Sequence, residues 1–415
     1  MEPSTSNSCA SPSTFNDNIR HHVKNITSCI EKRQNGVVNK EYMKKTIMIN
    51  TIVDLTVSKH VEFDDEHASA IQTLDVDRNG QYLLSGDQNG TVMIYDMFYS
   101  NGSKVLSYPV THCGTITGEL PPNCPVTSIE SIQWYPFDSG MFITGGEDRC
   151  VRLWDTNVMK THHMWRYLNS IYQIHMSPAN TSSPLVAVAT TASEVKIVDL
   201  VSGNHSHELR GHTSCVLSCK WSPANPYLLA TGGYDSTIRI WDVRSTCSCL
   251  AILNKNLNED KCKKPDSVVS HKGLVNGLQF TPNGRLLISL GSDDQVYSWD
   301  MGTFKRTPVT FEPANVRKGR SIDFATCGSS NHSFCFVPEK CKISVYRIDN
   351  GRKINSLFGH YDRVNACYFN EHRMELYSAG SDRNILHYSK KLSPETEEML
   401  TEGEGNRPGP HLDWE

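Results

Sequence analysis

Few residues of this chain have the types and spacing that chemistry needs. Asp75-Val76-Asp77-Arg78-Asn79-Gly80 imitates the opening of a calcium-binding loop, in which acidic oxygens and a Gly turn wrap the ion. The Glu that should close such a loop at its twelfth position is replaced by Gly86, and a strand pattern runs straight through, so the segment reads as a β-turn at Asn79-Gly80. Cys247, Cys249 and Cys262 lack a fourth well-spaced ligand for zinc. His162 with His163, and His205 with His207, read as loop residues rather than ligands. Neither a G-x-S-x-G elbow, a P-loop nor H-E-x-x-H occurs. The short basic runs Lys261 to Lys264 and Arg317 to Arg320 read as solvated turns. The expectation is a non-enzyme with no catalytic residues, no metal site and no cofactor.

A different constellation recurs along the chain. Gly211-His212 is followed by Thr231-Gly232-Gly233-Tyr234-Asp235-Ser236-Thr237-Ile238-Arg239-Ile240-Trp241-Asp242, and degraded versions of this punctuation fill most of the sequence. It resembles the WD40 repeat, which implies a wheel of four-stranded antiparallel sheets whose surfaces bind partners. In such repeats the Asp accepts hydrogen bonds from the His, while a Ser or Thr links that His to the Trp indole. A buried polar network of this sort fixes one geometry and is costly when half made.

The complete sets are His212, Thr231, Asp235 and Trp241 in blade 4, and His271, Ser289, Asp293 and Trp299 in blade 5. Blade 2 keeps Thr144, Asp148 and Trp154 without an obvious His. Blade 7 keeps His360, Ser378 and Asp382, with Tyr388 at the Trp position; blade 1 is assigned His67, Ser85, Asn89 and Tyr95. Blades 3 and 6 show only a strand pattern, around Val198 and Tyr346, and lack the polar set. Seven blades result, and two steps between Trp-equivalent positions are markedly longer than the usual period of about 40 to 45 residues. The excess marks insertions at 97–123 and 245–269, which are surface length or recognition loops.

These elements must sit on a closed ring, because an open one leaves a bare strand edge. Thr46 to Val57, rich in β-branched residues, is expected to supply the outermost strand of blade 7. The fold class is thus all-β: a seven-bladed propeller over 46–390, preceded by a disordered stretch at 1–15 and a helical element at 16–45, and followed by a disordered acidic tail at 391–415. Ile19, Val23, Ile26 and Ile30 recur at helical spacing, with Asn16 or Asp17 as cap and Gly36 beyond the end. A second short helix is expected from Asn39 to about Lys45. Such a helix has an apolar stripe to bury, on its own wheel or in another protein's groove. Residues 393–415 hold seven acidic residues and one Arg, which reads as a solvating tail.

Composition agrees with a binding protein. Of 415 residues, 38% are hydrophobic, enough for a sizeable core, and a net charge of −4 argues against electrostatic binding of nucleic acid. No run of 18 or more apolar residues would span a membrane, and the start carries no apolar leader. Fourteen scattered cysteines fit reduced thiols in a nuclear or cytosolic protein.

One blade end differs from the others. Trp241-Asp242-Val243-Arg244 closes blade 4, whereas blade 2 has Trp154-Asp155-Thr156-Asn157 and blade 5 has Trp299-Asp300-Met301-Gly302. Arg offers a rigid fork of donors for carbonyls or carboxylates across an interface, and it also serves as an ordinary solvated residue. The Trp-Asp-x-Arg box resembles that of WD40 substrate receptors of cullin 4 RING ubiquitin ligases. Gln133-Trp134-Tyr135-Pro136-Phe137-Asp138, His175-Met176-Ser177-Pro178 and Leu376-Tyr377-Ser378-Ala379-Gly380-Ser381-Asp382-Arg383 are not generic propeller sequence, and they resemble the Cockayne syndrome group A family over nearly the whole chain. That resemblance implies a nuclear, non-catalytic receptor joining the ligase, through its DNA damage-binding protein 1 adaptor, to stalled RNA polymerase II and its repair factors in transcription-coupled nucleotide excision repair. It also implies adaptor contacts at Arg244, supported by Trp241 and Asp242, and at the helical element carrying Ile19, Val23, Ile26 and Ile30. The alternative is a WD40 scaffold in a chromatin or RNA-processing complex without a ligase link. The stretch 1–15 is longer than the family's usual start, and the acidic tail does not match it closely.

Overall fold

A computed structural model describes residues 40–390, apart from 59–60, 64–66, 98–107, 111, 118–126, 179–183, 246–248, 256–268, 317–318 and 330–331. The chain divides into two units, Met1–Asp54 and Leu55–Glu415. Ile19, Val23, Ile26 and Ile30, the segment 1–15 and the tail 391–415 lie outside the described residues.

In the first unit, helix α1 runs from Lys40 to Val53. The helix runs past the expected end near Lys45 and replaces the expected strand as far as Val53, while Leu55–Val57, the end of the same segment, is the expected outermost strand of blade 7. The propeller accordingly begins at Leu55, not at residue 46. The buried residues Met48, Thr51 and Ile52 recur at helical spacing, and the Thr51 hydroxyl donates back to the Ile47 carbonyl at 2.9 Å. The strand preference of Ile47, Ile49 and Thr51 is weak enough for this burial pattern to override.

The second unit holds seven four-stranded antiparallel sheets. We letter the strands a to d from the axis outward. Strand a of blades 1 to 7 is Ile71–Val76, Ile129–Trp134, Ile171–Met176, Val216–Trp221, Val275–Phe280, Ala325–Ser329 and Val364–Asn370. Strand d of blade 7 comes from the other end of the chain: Leu55–Val57 pairs antiparallel with Ile385–Lys390, with Leu55 opposite Lys390 and Val57 opposite Tyr388. Three residues suffice to close the ring and remove the edge. In the first insertion, Tyr108–Val110 pairs in parallel with Val61–Phe63, and His112–Thr117 forms strand d of blade 1. Cys249–Ile252, within the second, forms strand d of blade 4.

The core lies between blades. Ile143, Val151, Trp165, Ile171 and Val186 pack blade 2 on blade 3, and Val195, Leu209, Val216 and Trp241 pack blade 3 on blade 4. Phe336 and Phe369 stack across blades 6 and 7 with ring centroids 4.8 Å apart.

Around the axis, where strands a belong to separate sheets, side chains complete the backbone hydrogen bonding. The Trp134 N–H donates to Asp75 at 2.7 Å, the Met176 N–H to Gln133 at 2.7 Å, and the Trp221 N–H to His175 Nδ1 at 3.0 Å. One layer deeper, the N–H groups of Ile132, Ile174 and Cys219 donate to Thr73, Ser131 and Gln173. Asp323, from the connection between blades 5 and 6, accepts from Gln173 at 2.7 Å and from the Lys220 ammonium at 3.2 Å, tying blades 3 and 4 to the far side.

Candidate functional site

The polar sets that stiffen the blades come first, since they position every loop. In blade 4, His212 Nδ1 lies 2.8 Å from Asp235, His212 Nε2 lies 2.7 Å from the Thr231 hydroxyl, and the Trp241 indole donates to that hydroxyl at 2.8 Å. Blade 5 repeats the arrangement with His271, Asp293, Ser289 and Trp299 at 3.0, 2.8 and 2.9 Å. Burial alone would raise the Asp235 carboxyl; the bond and charge of His212, with donors from Thr213 and Thr237, outweigh it and bring it to about 2. In blade 7, His360 bridges Asp382 at 2.8 Å and Ser378 at 2.7 Å.

Three blades depart from the sequence reading. In blade 1 the partner of His67 is Asp87 at 3.2 Å, not Asn89, with Ser85 at 2.6 Å on the other ring nitrogen. Residues two apart on a strand share a face, so Asp87 continues the side of Ser85 directly toward the ring. Asn89 is exposed, and its N–H donates to Asp87 at 2.9 Å. In blade 2 the Trp154 indole donates to Thr144 at 2.9 Å, and Arg152 occupies Asp148 as the cation. Blade 6 has a set of its own: the Tyr346 hydroxyl donates to buried Glu339 at 2.6 Å, and Lys342 and Lys353 flank that carboxylate.

Asp75 and Val76 end strand a of blade 1, and the residues from Asp77 to Gly80 make the turn. The Asp77 carboxylate accepts from the N–H groups of Gln81 and Tyr82 at 2.6 and 2.8 Å, and Gly80 has φ +69°, which favours glycine. Among the described residues no group of three or more His, Cys, Asp or Glu could hold a metal ion, and no helix is long and apolar enough to cross a membrane.

Arg244 sits beyond strand c of blade 4, on the end of the wheel that carries the a–b and c–d turns. Strand c places Trp241 inward, fully buried, and Asp242 at the rim. The Asp242 carboxylate accepts the Arg244 backbone N–H at 3.0 Å, the guanidinium Nε at 3.1 Å and Nη2 at 2.8 Å. The guanidinium beside it holds the Asp242 carboxyl below its ordinary range. One face of the guanidinium lies 4.3 Å from the centre of the Tyr227 ring, a cation–π contact from the a–b turn of the same blade. Yet the side chain stays 59% exposed, and its Nη1 edge has no bond among the described residues. One edge, Nε with Nη2, and one face are thus fixed, and the Nη1 donors remain for a partner.

Sequence reasoning missed the surroundings of this arginine. Phe137 and Val158 in the turns of blade 2, Val201 in blade 3 and Tyr227 in blade 4 are large apolar side chains left exposed on the same end of the wheel. Phe137 packs on Tyr135 with ring centroids 5.3 Å apart. Leu55 and Lys390, the outer limits of the ring closure, lie at this end as well.

Comparison with known proteins agrees with the blades. Residues 58–96, 112–155, 203–242, 263–300 and 351–389 match the family described as WD domain, G-beta repeat. Blades 3 and 6, which lack the His-Asp set, fall largely between these matches. WD repeat-containing protein ATCSA-1 of Arabidopsis thaliana is 27% identical over 90% of this chain and 97% of its own length. Radiation-sensitive protein 28 of Saccharomyces cerevisiae is 27% identical over 41% of this chain and 37% of its own. Ribosome biogenesis protein YTM1 of Chaetomium thermophilum is 26% identical, covering 43% and 40%. With five matched repeats on a ring of seven four-stranded blades, the chain is a WD-repeat β-propeller protein.

Proposed function

We propose that this propeller is a non-catalytic substrate receptor of a cullin 4 RING ubiquitin ligase, acting in the nucleus in transcription-coupled repair. The end bearing Arg244 meets the DNA damage-binding protein 1 adaptor, together with the segment that precedes the propeller, and the opposite end takes stalled RNA polymerase II and repair factors. The observation that carries this reading is the pre-set guanidinium: Asp242 and Tyr227 hold it in place, so little side-chain entropy is lost when its free edge meets an acceptor. Exposed Phe137, Val158, Val201 and Tyr227 add apolar area on the same end. Similarity to the relative named ATCSA-1 over 90% of the chain supports the same direction.

The test is Arg244→Ala with purified adaptor. Binding falls about tenfold or more, as for a central interface arginine, while the melting temperature stays near wild type because the side chain is exposed. Undiminished binding overturns the assignment. The rival reading, a scaffold without a ligase link, is favoured by the similarity to a ribosome biogenesis protein over less than half of the chain. Deleting residues 1–39, which leaves helix α1 whole, separates the two: the receptor loses adaptor affinity, and the scaffold keeps its partners.

A further inference from the structure

At the end of the wheel opposite Arg244, where the b–c turns and d–a loops lie, a cavity of about 300 Å³ opens between blades 6 and 7. Its floor is apolar, made of Val316, Ile322, Pro338 and Val364. Its lip carries two exposed cations, Lys340 from the b–c turn of blade 6 and Arg363 from the loop entering blade 7. Lys342 and Lys353 nearby share the Glu339 carboxylate, but among the described residues neither the Lys340 nor the Arg363 side chain has an acidic partner.

The lip is fixed in place. Lys340 takes a left-handed backbone, φ +46°, and its carbonyl accepts the Val364 N–H at 2.7 Å; the Arg363 carbonyl accepts the Ser381 N–H at 2.7 Å. Two acids lie close, and both already accept backbone bonds: Asp362 from the Arg363 N–H at 2.7 Å and Asp294 from the Val316 N–H at 3.3 Å. Two residues before Arg363, Tyr361 stands 90% exposed, the most open of the large hydrophobic side chains described. A cavity of about 300 Å³ has room for an aliphatic side chain and more, and with two cations that form no ion pair among the described residues at its lip and an exposed aromatic ring close in sequence, it fits an extended acidic peptide.

We propose that this cavity docks an acidic peptide segment of a partner protein, with one aliphatic side chain on Val316, Ile322 and Val364 and flanking carboxylates on Lys340 and Arg363. The inference does not rest on the adaptor reading, because the two sites lie on opposite ends of the wheel.

The experiment is selection of displayed random peptides on the full-length protein, compared with the double variant K340E/R363E and with Arg244→Ala. Wild type enriches sequences in which Leu, Ile or Met adjoins two or more Asp or Glu. Anisotropy with the best peptide shows at least a tenfold loss in K340E/R363E, a similar loss when its acids become amides, and weakening by salt. Arg244→Ala selects the same peptides, so this inference and the adaptor reading fail separately. Both substitutions are at exposed positions; a melting temperature within about 2 °C of wild type confirms a folded variant, and K340A/R363A serves if charge reversal unfolds it. Enrichment of basic or purely apolar peptides, or of the same peptides by the double variant, overturns the proposal. So does binding to phosphatidylserine vesicles with no peptide enriched, which would make the surface lipid-directed. Capture that emerges only after residues 391–415 are deleted also overturns it, since the acidic stretch of this chain would then be the occupant.

Discussion

Replacing the central hydroxyl of a blade by a methyl group of the same shape measures what the His-Asp set contributes, and two blades provide the comparison. Thr231→Val in blade 4 leaves two buried groups without a partner, the Trp241 indole N–H and His212 Nε2. Thr144→Val in blade 2 leaves only one, the Trp154 indole N–H, since no His reaches Thr144. Thr231 and Trp241 are fully buried, and Thr144 and Trp154 nearly so. Each orphaned buried group costs about 1 to 3 kcal/mol, giving about 1 to 3 kcal/mol for Thr144→Val and about 2 to 6 kcal/mol for Thr231→Val. Unfolding about 340 residues at roughly 2.1 cal/mol/K each gives about 0.7 kcal/mol per degree. The melting temperature then falls by about 1 to 4 °C and about 3 to 9 °C respectively. Calorimetry on both variants under one buffer reads the difference. A loss in Thr144→Val equal to or larger than that in Thr231→Val refutes the reasoning, because the histidine link would then add nothing.

Removing residues 1–60 takes away Leu55–Val57 and exposes the Ile385–Lys390 edge, so the product aggregates or unfolds without a cooperative transition; removal of 1–39 spares the closure. A sharp thermal transition in the shorter chain counts against the three-residue closure. In the channel, burial pushes the Asp75 carboxyl up to about 7, against the Trp134 N–H bond that favours its charge. An acid raised in the folded state loses stability as pH climbs from its unfolded value near 4 through 7. Asp75→Asn keeps an oxygen for the Trp134 N–H and removes that loss. It gains about 1 to 2 kcal/mol at pH 8 relative to pH 4, a figure reduced because the channel admits some solvent; urea unfolding at both pH values giving equal differences would sink the account.

Where a repeat kept both the residue types and their spacing, the sequence was enough to place the partners: His212, Thr231, Asp235 and Trp241 meet within 2.8 Å. In blade 1 the acid stands two residues earlier than in blade 4, at the end of strand b instead of in the b–c turn, so a pattern that counts positions picks Asn89 and misses Asp87. Blades 2 and 6 reached the same end with other chemistry, Arg152 on Asp148 and Tyr346 on Glu339, which no WD pattern encodes. The segment before Leu55 failed differently, because its β-branched residues state a local preference that the burial of Met48, Thr51 and Ile52 overrides. At the rim, Arg244 was legible as a motif, while its contact with Tyr227 was not. That contact needs the a–b and c–d turns of one blade to emerge side by side, a consequence of the four-stranded meander and not of any local signal.

The same meander decides how the two ends of the wheel can act together. Strand c of blade 4 runs from the Asp235 turn at one end to Arg244 at the other, and the hydrogen-bonded set of His212, Thr231, Asp235 and Trp241 locks that strand to its neighbour. Asp323, bonded to Gln173 and Lys220, braces blades across the channel. Buried polar bonds within blades 1, 2, 4, 5, 6 and 7 make a second arrangement costly, and coupling between distant sites requires one of similar energy. Partners at the two proposed sites, the Arg244 end and the Lys340–Arg363 end, would therefore meet surfaces whose separation and angle are set by folding. A receptor using both proposed sites would bring its partners together by geometry, and the specificity of each end would reside in its turns.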